Sequence, residues 1–111
     1  MAVYSNLTVD QGTDFTMSVD VTDTDGDALN LTGFTVAGQV RRSYFSTTAV
    51  NFTCAVSNAT SGIITVSLSG TQSDAMKAGR YVYDVEITNS GGTKTRVLEG
   101  QLEIMPAVTK I

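Results

Sequence analysis

Apolar and polar residues alternate along most of this sequence, most clearly near its C-terminal end. In the stretch AGRYVYDVEI (78–87), four aromatic or aliphatic residues share one parity: Tyr81, Tyr83, Val85 and Ile87. Charged residues occupy the other parity: Arg80, Asp84 and Glu86. A period of two predicts a β-strand with one face in the core and the other in solvent. The segments FTMSVDV, GFTVAGQV, FTCAV and IITVSLS predict further strands in the same way.

The spacing of these segments predicts an all-β fold. They are separated by turn-forming Asp, Asn, Ser and Gly residues roughly every 8–12 positions, as in a two-sheet sandwich. The segment SDAMKAG breaks the period of two and favours a short helical turn at residues 73–77. We therefore predict a single immunoglobulin-like β-sandwich of about seven strands, with this turn before the penultimate strand. In such folds a tyrosine bonds back to the turn, and Tyr81 and Tyr83 are both candidates.

The last two strands carry more detailed predictions. Val97 and Leu98 are consecutive apolar residues in an otherwise alternating strand, which predicts a β-bulge. Gly100 leaves room for a tyrosine ring to lie across the neighbouring strand. Pro106 cannot donate to a sheet, so the last strand should end at residue 104 or 105. We expect the sandwich to span residues 1–105 and residues 106–111 to form a C-terminal tail.

Composition narrows the class of protein. A length of 111 residues fits one domain, and the net charge of −4 argues against a nucleic-acid backbone as the main partner. No apolar run is long enough to span a membrane, and the N-terminus lacks the features of a signal peptide. The single cysteine, Cys54, alternates with Phe52 and Val56 and is expected in the core. These features favour a protein made in a reducing compartment, without a membrane or nucleic-acid partner.

Few residues suggest chemistry. Histidine is absent, which excludes Ser-His and Cys-His catalysis. Asp84 and Glu86 are interpreted as solvated strand residues rather than as a catalytic pair. The turn with Asp23, Asp25 and Asp27 resembles the start of a calcium loop but lacks its later ligands, so a hairpin turn is favoured over a weak cation site. We predict no catalytic residue, no cofactor and no dedicated metal site.

A pattern of glycines and tyrosines covers residues 76–110. It consists of Gly79, Tyr81, Tyr83, Asp84, Gly91, Arg96, Gly100, Val108 and Thr109. Near the other end, the sequence contains Asp10-Gln11-Gly12 and Leu31-Thr32-Gly33. Together these motifs resemble the immunoglobulin-like domains of tailed-bacteriophage baseplate and tail proteins, including the upper-baseplate type.

The resemblance implies a structural, non-enzymatic protein of a tailed-phage virion, assembled in the cytoplasm of the bacterial host. We expect an accessory tail, baseplate or fibre-adaptor subunit whose partners are other virion proteins. A homo-oligomeric arrangement within the particle is compatible with this role. Five residues outside the predicted core are candidates for partner docking: Tyr4, Tyr44, Phe45, Val108 and Ile111.

Two other functions remain open from the sequence. Small immunoglobulin-like proteins also cover capsid surfaces, so a capsid decoration protein bound to the major capsid protein is the alternative. A carbohydrate-binding module directed at host-surface glycan is the third, and Tyr4, Tyr44 or Phe45 would then stack on sugars. These three functions differ in partner and not in fold.

Overall fold

The computed structural model describes residues 3–23 and 25–108. These residues form nine strands and one helix. The strands are β1 (Val3–Tyr4), β2 (Leu7–Asp10), β3 (Phe15–Asp20), β4 (Thr35–Arg41), β5 (Val50–Asn51), β6 (Thr53–Asn58), β7 (Ile63–Leu68), β8 (Gly79–Thr88) and β9 (Lys94–Met105). The helix α1 (Gly70–Ala75) precedes β8. The predicted helical turn before the penultimate strand is therefore confirmed.

The strands form two sheets that pack as a sandwich. In the described part of the chain, the larger sheet has the order β1-β9-β8-β4-β5, and β2 also pairs with β9. The smaller sheet has the order β3-β7-β6. The predicted all-β sandwich is confirmed, but the strand count of about seven was too low. The short strand β1 precedes the expected first strand, and the segment AVNFTCAVS is divided into β5 and β6.

Gly100 lets the chain between β1 and β2 pass close to β9. A Cβ at Gly100 would lie 2.0 Å from the carbonyl oxygen of Ser5, so a side chain cannot be accommodated there. Tyr83 lies opposite Gly100 in the β8–β9 register, as expected. Its hydroxyl donates to the same Ser5 oxygen at 2.5 Å. The space beside the glycine is thus filled by the backbone of Ser5, which the tyrosine hydroxyl anchors.

The chain changes sheets at Phe52. On one side of this residue β5 pairs with β4 in the larger sheet, and on the other side β6 pairs with β7 in the smaller one. The N–H of Phe52 donates to the carbonyl of Gly38 at 2.9 Å. The buried Phe52 ring meets the Tyr83 ring edge to face, with centroids 6.0 Å apart. The change of sheet was not predicted, because alternation indicates the faces of a strand and not its neighbours.

The core follows the predicted parity. Its innermost apolar side chains are Val9, Leu31, Val40, Ile64, Val66, Leu68, Val85, Leu102 and Ile104. Val97 and Leu98 are both buried because the β8–β9 register shifts beside them, which confirms the predicted bulge. Cys54 and Phe15 pack against the core, as expected, but are only half-buried. The reason is that β3 and β6, which carry them, are the outer strands of the smaller sheet.

Helix α1 spans Gly70–Ala75 rather than the predicted residues 73–77. The Ser69 hydroxyl oxygen accepts from the N–H of Gln72 at 3.1 Å, and the Gln72 side chain accepts from the N–H of Ser69 at 3.0 Å. This reciprocal pair is a capping box, and its S-x-x-Q spacing is the signal for the earlier start. Ser73, the expected first residue, is buried within the helix and donates to the carbonyl of Thr13 at 2.8 Å.

One of the two candidate tyrosines holds the corner before β8. The hydroxyl of Tyr81 donates to the carbonyl of Lys77 at 2.7 Å, which is the bond expected of an immunoglobulin-like corner. The guanidinium of Arg42 lies over the Tyr81 ring, 4.9 Å from its centroid. Tyr83 instead bonds to Ser5. The corner role therefore belongs to Tyr81.

The last strand ends where the sequence predicts. β9 stops at Met105, immediately before Pro106. Beyond it, the N–H of Ala107 donates to the side-chain oxygen of Gln11 at 3.3 Å. The division into a sandwich of residues 1–105 and a tail of residues 106–111 stays a prediction, since residues 109–111 lie outside the described ranges. Among the described residues, no helix has the length and apolar character needed to cross a membrane.

Candidate functional site

The loop between β4 and β5 presents two adjacent aromatic residues on an ordered turn. The N–H of Ser46 donates to the carbonyl of Ser43 at 3.2 Å, so Tyr44 and Phe45 occupy the two central positions of a β-turn. The N–H of Ser43 donates in return to the Ser46 hydroxyl at 3.1 Å. Arg41, the last residue of β4, donates from Nη1 to the Ser46 carbonyl at 2.6 Å. We call residues 43–46 the aromatic turn.

Both rings of the aromatic turn point into solvent. Tyr44 is 73% exposed and Phe45 is 94% exposed. Rings this exposed contribute little burial to the fold of their own chain. Because hydrogen bonds already fix the loop, less conformational entropy would be lost when the rings bind a partner. Aromatic side chains on a preorganised loop are typical of protein contact surfaces.

Tyr44 also borders a shallow groove on the outer face of the larger sheet, with a volume of about 290 Å³. Its other lining side chains on that face are Gln39, Arg41, Val82, Asp84, Glu86, Arg96 and Glu99. Alternation brings the even-numbered residues of β8 to this face. On β9 the bulge at Val97 changes the parity of the outward residues, so Arg96 and Glu99 both reach the groove. The lining is therefore mostly charged.

Arg96 connects the carboxylates of the groove. Its Nε lies 3.3 Å from Oδ2 of Asp84, and its Nη1 lies 3.4 Å from Oε1 of Glu99. Arg41 donates from Nη2 to the side-chain oxygen of Gln39 at 2.9 Å. Burial raises the pKa of the Asp84 carboxyl, and the charge of Arg96 opposes that rise. Such partly exposed ion pairs contribute about 0–1 kcal/mol each, so their main effect is on the charge pattern of the surface.

The residues considered for chemistry are the pair Asp84 and Glu86 and the single cysteine, Cys54. Asp84 and Glu86 both line the groove, and the Asp84 carboxylate is paired with Arg96. Cys54 lies at the margin of the core, where burial raises the pKa of its thiol. A raised pKa lowers the thiolate fraction and hence the nucleophilicity of the sulfur. The interpretation of these residues as non-catalytic remains the preferred hypothesis.

The structure separates the predicted docking residues. Tyr4 is 61% exposed on β1, whereas Tyr44 lies beyond the opposite side of the same sheet. Val108 is 98% exposed beyond the end of β9. Ile111 lies outside the described residues. Tyr44 and Phe45 are the predicted residues that the structure brings together.

The aspartate turn closes a hairpin, as the sequence favoured. One carboxylate oxygen of Asp23 accepts from the N–H groups of Asp25 and Asp27, at 2.9 and 3.1 Å. The N–H of Asp23 donates to the carbonyl of Asp27 at 2.8 Å, and Thr22 and Ala28 form a bridge. The Asp23 carboxylate is therefore engaged by the backbone. Residues 3–23 and 25–108 contain no group of three or more His, Cys, Asp and Glu side chains placed to hold a metal ion.

Sequence reasoning found the two aromatic residues but not the turn that presents them. The signal was present as a pair of serines, Ser43 and Ser46, on either side of the rings. Serine favours turns because its hydroxyl bonds to nearby backbone groups. The contribution of Arg41 could not be predicted from the sequence, because its hydrogen bond to the Ser46 carbonyl depends on the path of the loop.

Comparison with known proteins reveals likenesses of structure only. No family model and no curated protein matches this chain. An internalin-like protein of Listeria monocytogenes is similar in structure, with a TM-score of 0.47 and 14% identity over 96% of this chain and 28% of that protein. A family 123 glycoside hydrolase from Clostridium perfringens is similar with a TM-score of 0.44 and 14% identity, over 97% of this chain and 24% of that enzyme. This chain thus spans about a quarter of the length of either protein.

Proposed function

We propose that this chain is a structural, non-enzymatic protein of a tailed-phage virion that acts through protein–protein contacts. An accessory tail, baseplate or fibre-adaptor subunit is the favoured role. The observation that carries the proposal is the aromatic turn, which presents Tyr44 and Phe45 to solvent on a loop fixed by hydrogen bonds. Aromatic residues and arginine are enriched in protein interfaces, and tyrosine and arginine are among the residues that most often carry the binding energy.

The phage context rests on the resemblance in sequence. Several residues of the resembling pattern have structural roles in this fold. Tyr81 bonds to the corner before β8, and Tyr83 lies opposite Gly100. Arg96 pairs with Asp84 on the outer face of the larger sheet. The pattern therefore describes an architecture, which supports a fold shared with the virion domains that it resembles.

The proposed partners are other virion proteins, met during assembly in the bacterial cytoplasm. A net charge of −4 disfavours the nucleic-acid backbone as a partner. A capsid decoration protein, bound to the major capsid protein, is the alternative within the same class. The aromatic turn suits either neighbour, because both would offer a protein surface.

Incorporation into particles tests the proposal. Particles purified from an infected host should contain the chain, and a density map should place it on the head or the tail. The change Phe45→Ser should lower its copy number by at least about tenfold, since a hot-spot residue at the centre of an interface supplies about 2 kcal/mol or more. The control is Thr47→Ser, an exposed position of the same loop. Particles that lack the chain would contradict the virion role, and normal incorporation of Phe45→Ser would contradict the contact.

The polar groove supports a second candidate, the carbohydrate-binding module. Tyr44 borders a surface with both carboxylates and guanidinium groups, which can bond sugar hydroxyls while a ring stacks on the sugar face. A glycan array probed with the wild type and with Tyr44→Ala distinguishes this function. Saturable binding that Tyr44→Ala abolishes would favour it over the contact role, and an array without binding would reject it.

A further inference from the structure

A recess lined by both apolar and polar side chains lies at the other end of the sandwich from the aromatic turn. Its volume is about 180 Å³. Its apolar lining residues are Val3, Ile87 and Val97 of the larger sheet and Val21, Leu29 and Phe34 of the adjoining loops, and its polar ones are Asp20, Thr22, Asn89, Thr93 and Thr95. Phe34 immediately precedes β4, and the aromatic turn begins two residues after β4 ends. A strand of seven residues extends for about 20 Å at about 3.3 Å per residue. One copy of the chain therefore cannot place its own aromatic turn in its own recess.

The size of the recess suits one aromatic ring. An enclosed apolar cavity of about 150 Å³ accepts benzene, and the recess, which is partly polar and open on one side, is slightly larger. Phe45 supplies such a ring at the tip of the aromatic turn and is almost fully exposed. Insertion of this ring would bury apolar surface on both partners at once, and each Å² removed from water contributes about 25 cal/mol.

The surroundings of the recess and one flank of the aromatic turn carry opposite charge. Asp20 lines the recess, and the adjoining hairpin turn adds Asp23, Asp25 and Asp27. Lys94, at the same end, lines a different cleft beside β4 and β6. On one flank of the aromatic turn, three basic residues line a cleft: Arg41, Arg42 and Lys77. The groove on its other flank contains three carboxylates beside Arg96, so the basic flank is the one that would face the aspartates. Opposite charges on two contacting patches steer association and fix their orientation.

We infer that the aromatic turn of one copy docks in the recess of a second copy, with Phe45 inserted between the two sheets. The inference rests on the contact role proposed above for the aromatic turn, and it identifies the partner. The contact is head-to-tail, because the two patches lie at opposite ends of the sandwich. Such contacts repeat into rings or open filaments instead of closing as a two-fold dimer. One small contact of this kind gives a weak association that weakens further with salt.

Sedimentation velocity with two complementary variants tests the inference. Phe45→Ser removes the inserted ring and leaves the recess intact. Thr95→Arg places a long cation in the recess, since Thr95 is an exposed residue of its lining. The control for added charge is Thr16→Arg, an exposed position on β3. Wild type and Thr16→Arg should associate at high micromolar to millimolar concentration, and each docking variant alone should associate at least about tenfold more weakly.

The mixture of the two docking variants is decisive. The aromatic turn of Thr95→Arg can still enter the recess of Phe45→Ser, so the mixture should form one-to-one dimers and no longer species. A wild type that shows no concentration-dependent association up to about 1 mM, or a mixture that stays monomeric, would overturn the inference. If the wild type is monomeric while Phe45→Ser still lowers incorporation into particles, the aromatic turn contacts another protein and the proposed function stands. If the wild type is monomeric and Phe45→Ser also incorporates normally, the aromatic turn is not a contact, and the presence of the chain in particles alone decides the virion role.

Discussion

Two pairs of aromatic residues in this molecule have opposite surroundings. Tyr81 and Tyr83 lie on β8, where both hydroxyls donate to backbone carbonyls and the Tyr83 ring packs on Phe52. Tyr44 and Phe45 lie at the tip of a turn, and both are mostly exposed. Tyr81 holds the corner immediately before β8, and Tyr83 connects β8 to the distant backbone of Ser5. The second pair exposes its apolar surface, where a partner can bind.

The difference shows that residue type alone does not assign a role to an aromatic side chain. On β8 the period of two turns every second residue toward the core, so parity buries Tyr83 and half-buries Tyr81. In the aromatic turn no sheet imposes a parity, and the hydrogen bonds of Ser43 and Ser46 keep the rings outward. The free energy of unfolding should therefore respond to changes in the first pair and not in the second.

Truncation of one ring from each pair should give the largest contrast. Tyr83→Ala should lower the free energy of unfolding by about 3–5 kcal/mol, because it leaves a cavity beside Phe52. Phe45→Ala should change it by less than about 0.5 kcal/mol, as for other exposed positions. Urea unfolding followed by circular dichroism measures both. Equal losses for the two variants would mean that the aromatic turn belongs to the fold.

Alkaline pH should lower the free energy of unfolding through ionisation of Tyr83. Burial raises the pKa of Tyr83 to about 12, from an ordinary value of 10.0. The folded state then holds the proton more tightly than the unfolded state, so stability is full below pH 10 and is lost as pH rises through 12. The loss should reach about 2–3 kcal/mol. Thermal unfolding of the wild type and Tyr83→Phe measures it, and the variant should lack this part of the pH dependence.

Removal of single hydroxyls should give a smaller effect. Tyr81→Phe deletes the bond to Lys77 and should lower the free energy of unfolding by about 0.5–1.5 kcal/mol. Tyr44→Phe is the matched change in the aromatic turn and should be neutral within about 0.5 kcal/mol. Chemical denaturation of both variants resolves the difference. A neutral Tyr81→Phe would show that the corner is held without its tyrosine.

Calcium should have the smallest effect, near zero. One carboxylate oxygen of Asp23 already accepts two backbone N–H groups, and the turn lacks the later ligands of a calcium loop. Addition of millimolar calcium should leave the melting temperature within about 1 °C, because stabilisation by a ligand grows only with saturation of its site. A rise of several degrees, absent in Asp23→Asn, would make the turn a cation site. The bound calcium would then neutralise the aspartates beside the recess, which are Asp23, Asp25 and Asp27.

The alternation of residues was enough to predict the faces of the strands. It predicted the inward residues of β3, β4, β7 and β8, and two consecutive apolar residues predicted the bulge at Val97 and Leu98. Pro106 predicted the end of β9 because it lacks an N–H to donate. These features depend on the local backbone, and a local pattern is sufficient to determine them. The capping box of Ser69 and Gln72 was equally local and was overlooked.

Tertiary structure decided the features that depend on which strands become neighbours. Phe52 lies between β5 of one sheet and β6 of the other, although the alternation continues through it without a break. Gly100 and Ser5 meet although 95 positions separate them in the sequence, and the Tyr83 hydroxyl is bonded at the same point. The groove and the recess are likewise lined by residues from several strands. Period and turn chemistry determine which way a side chain points, whereas its neighbours depend on the pairing of distant segments, which only the packed core selects.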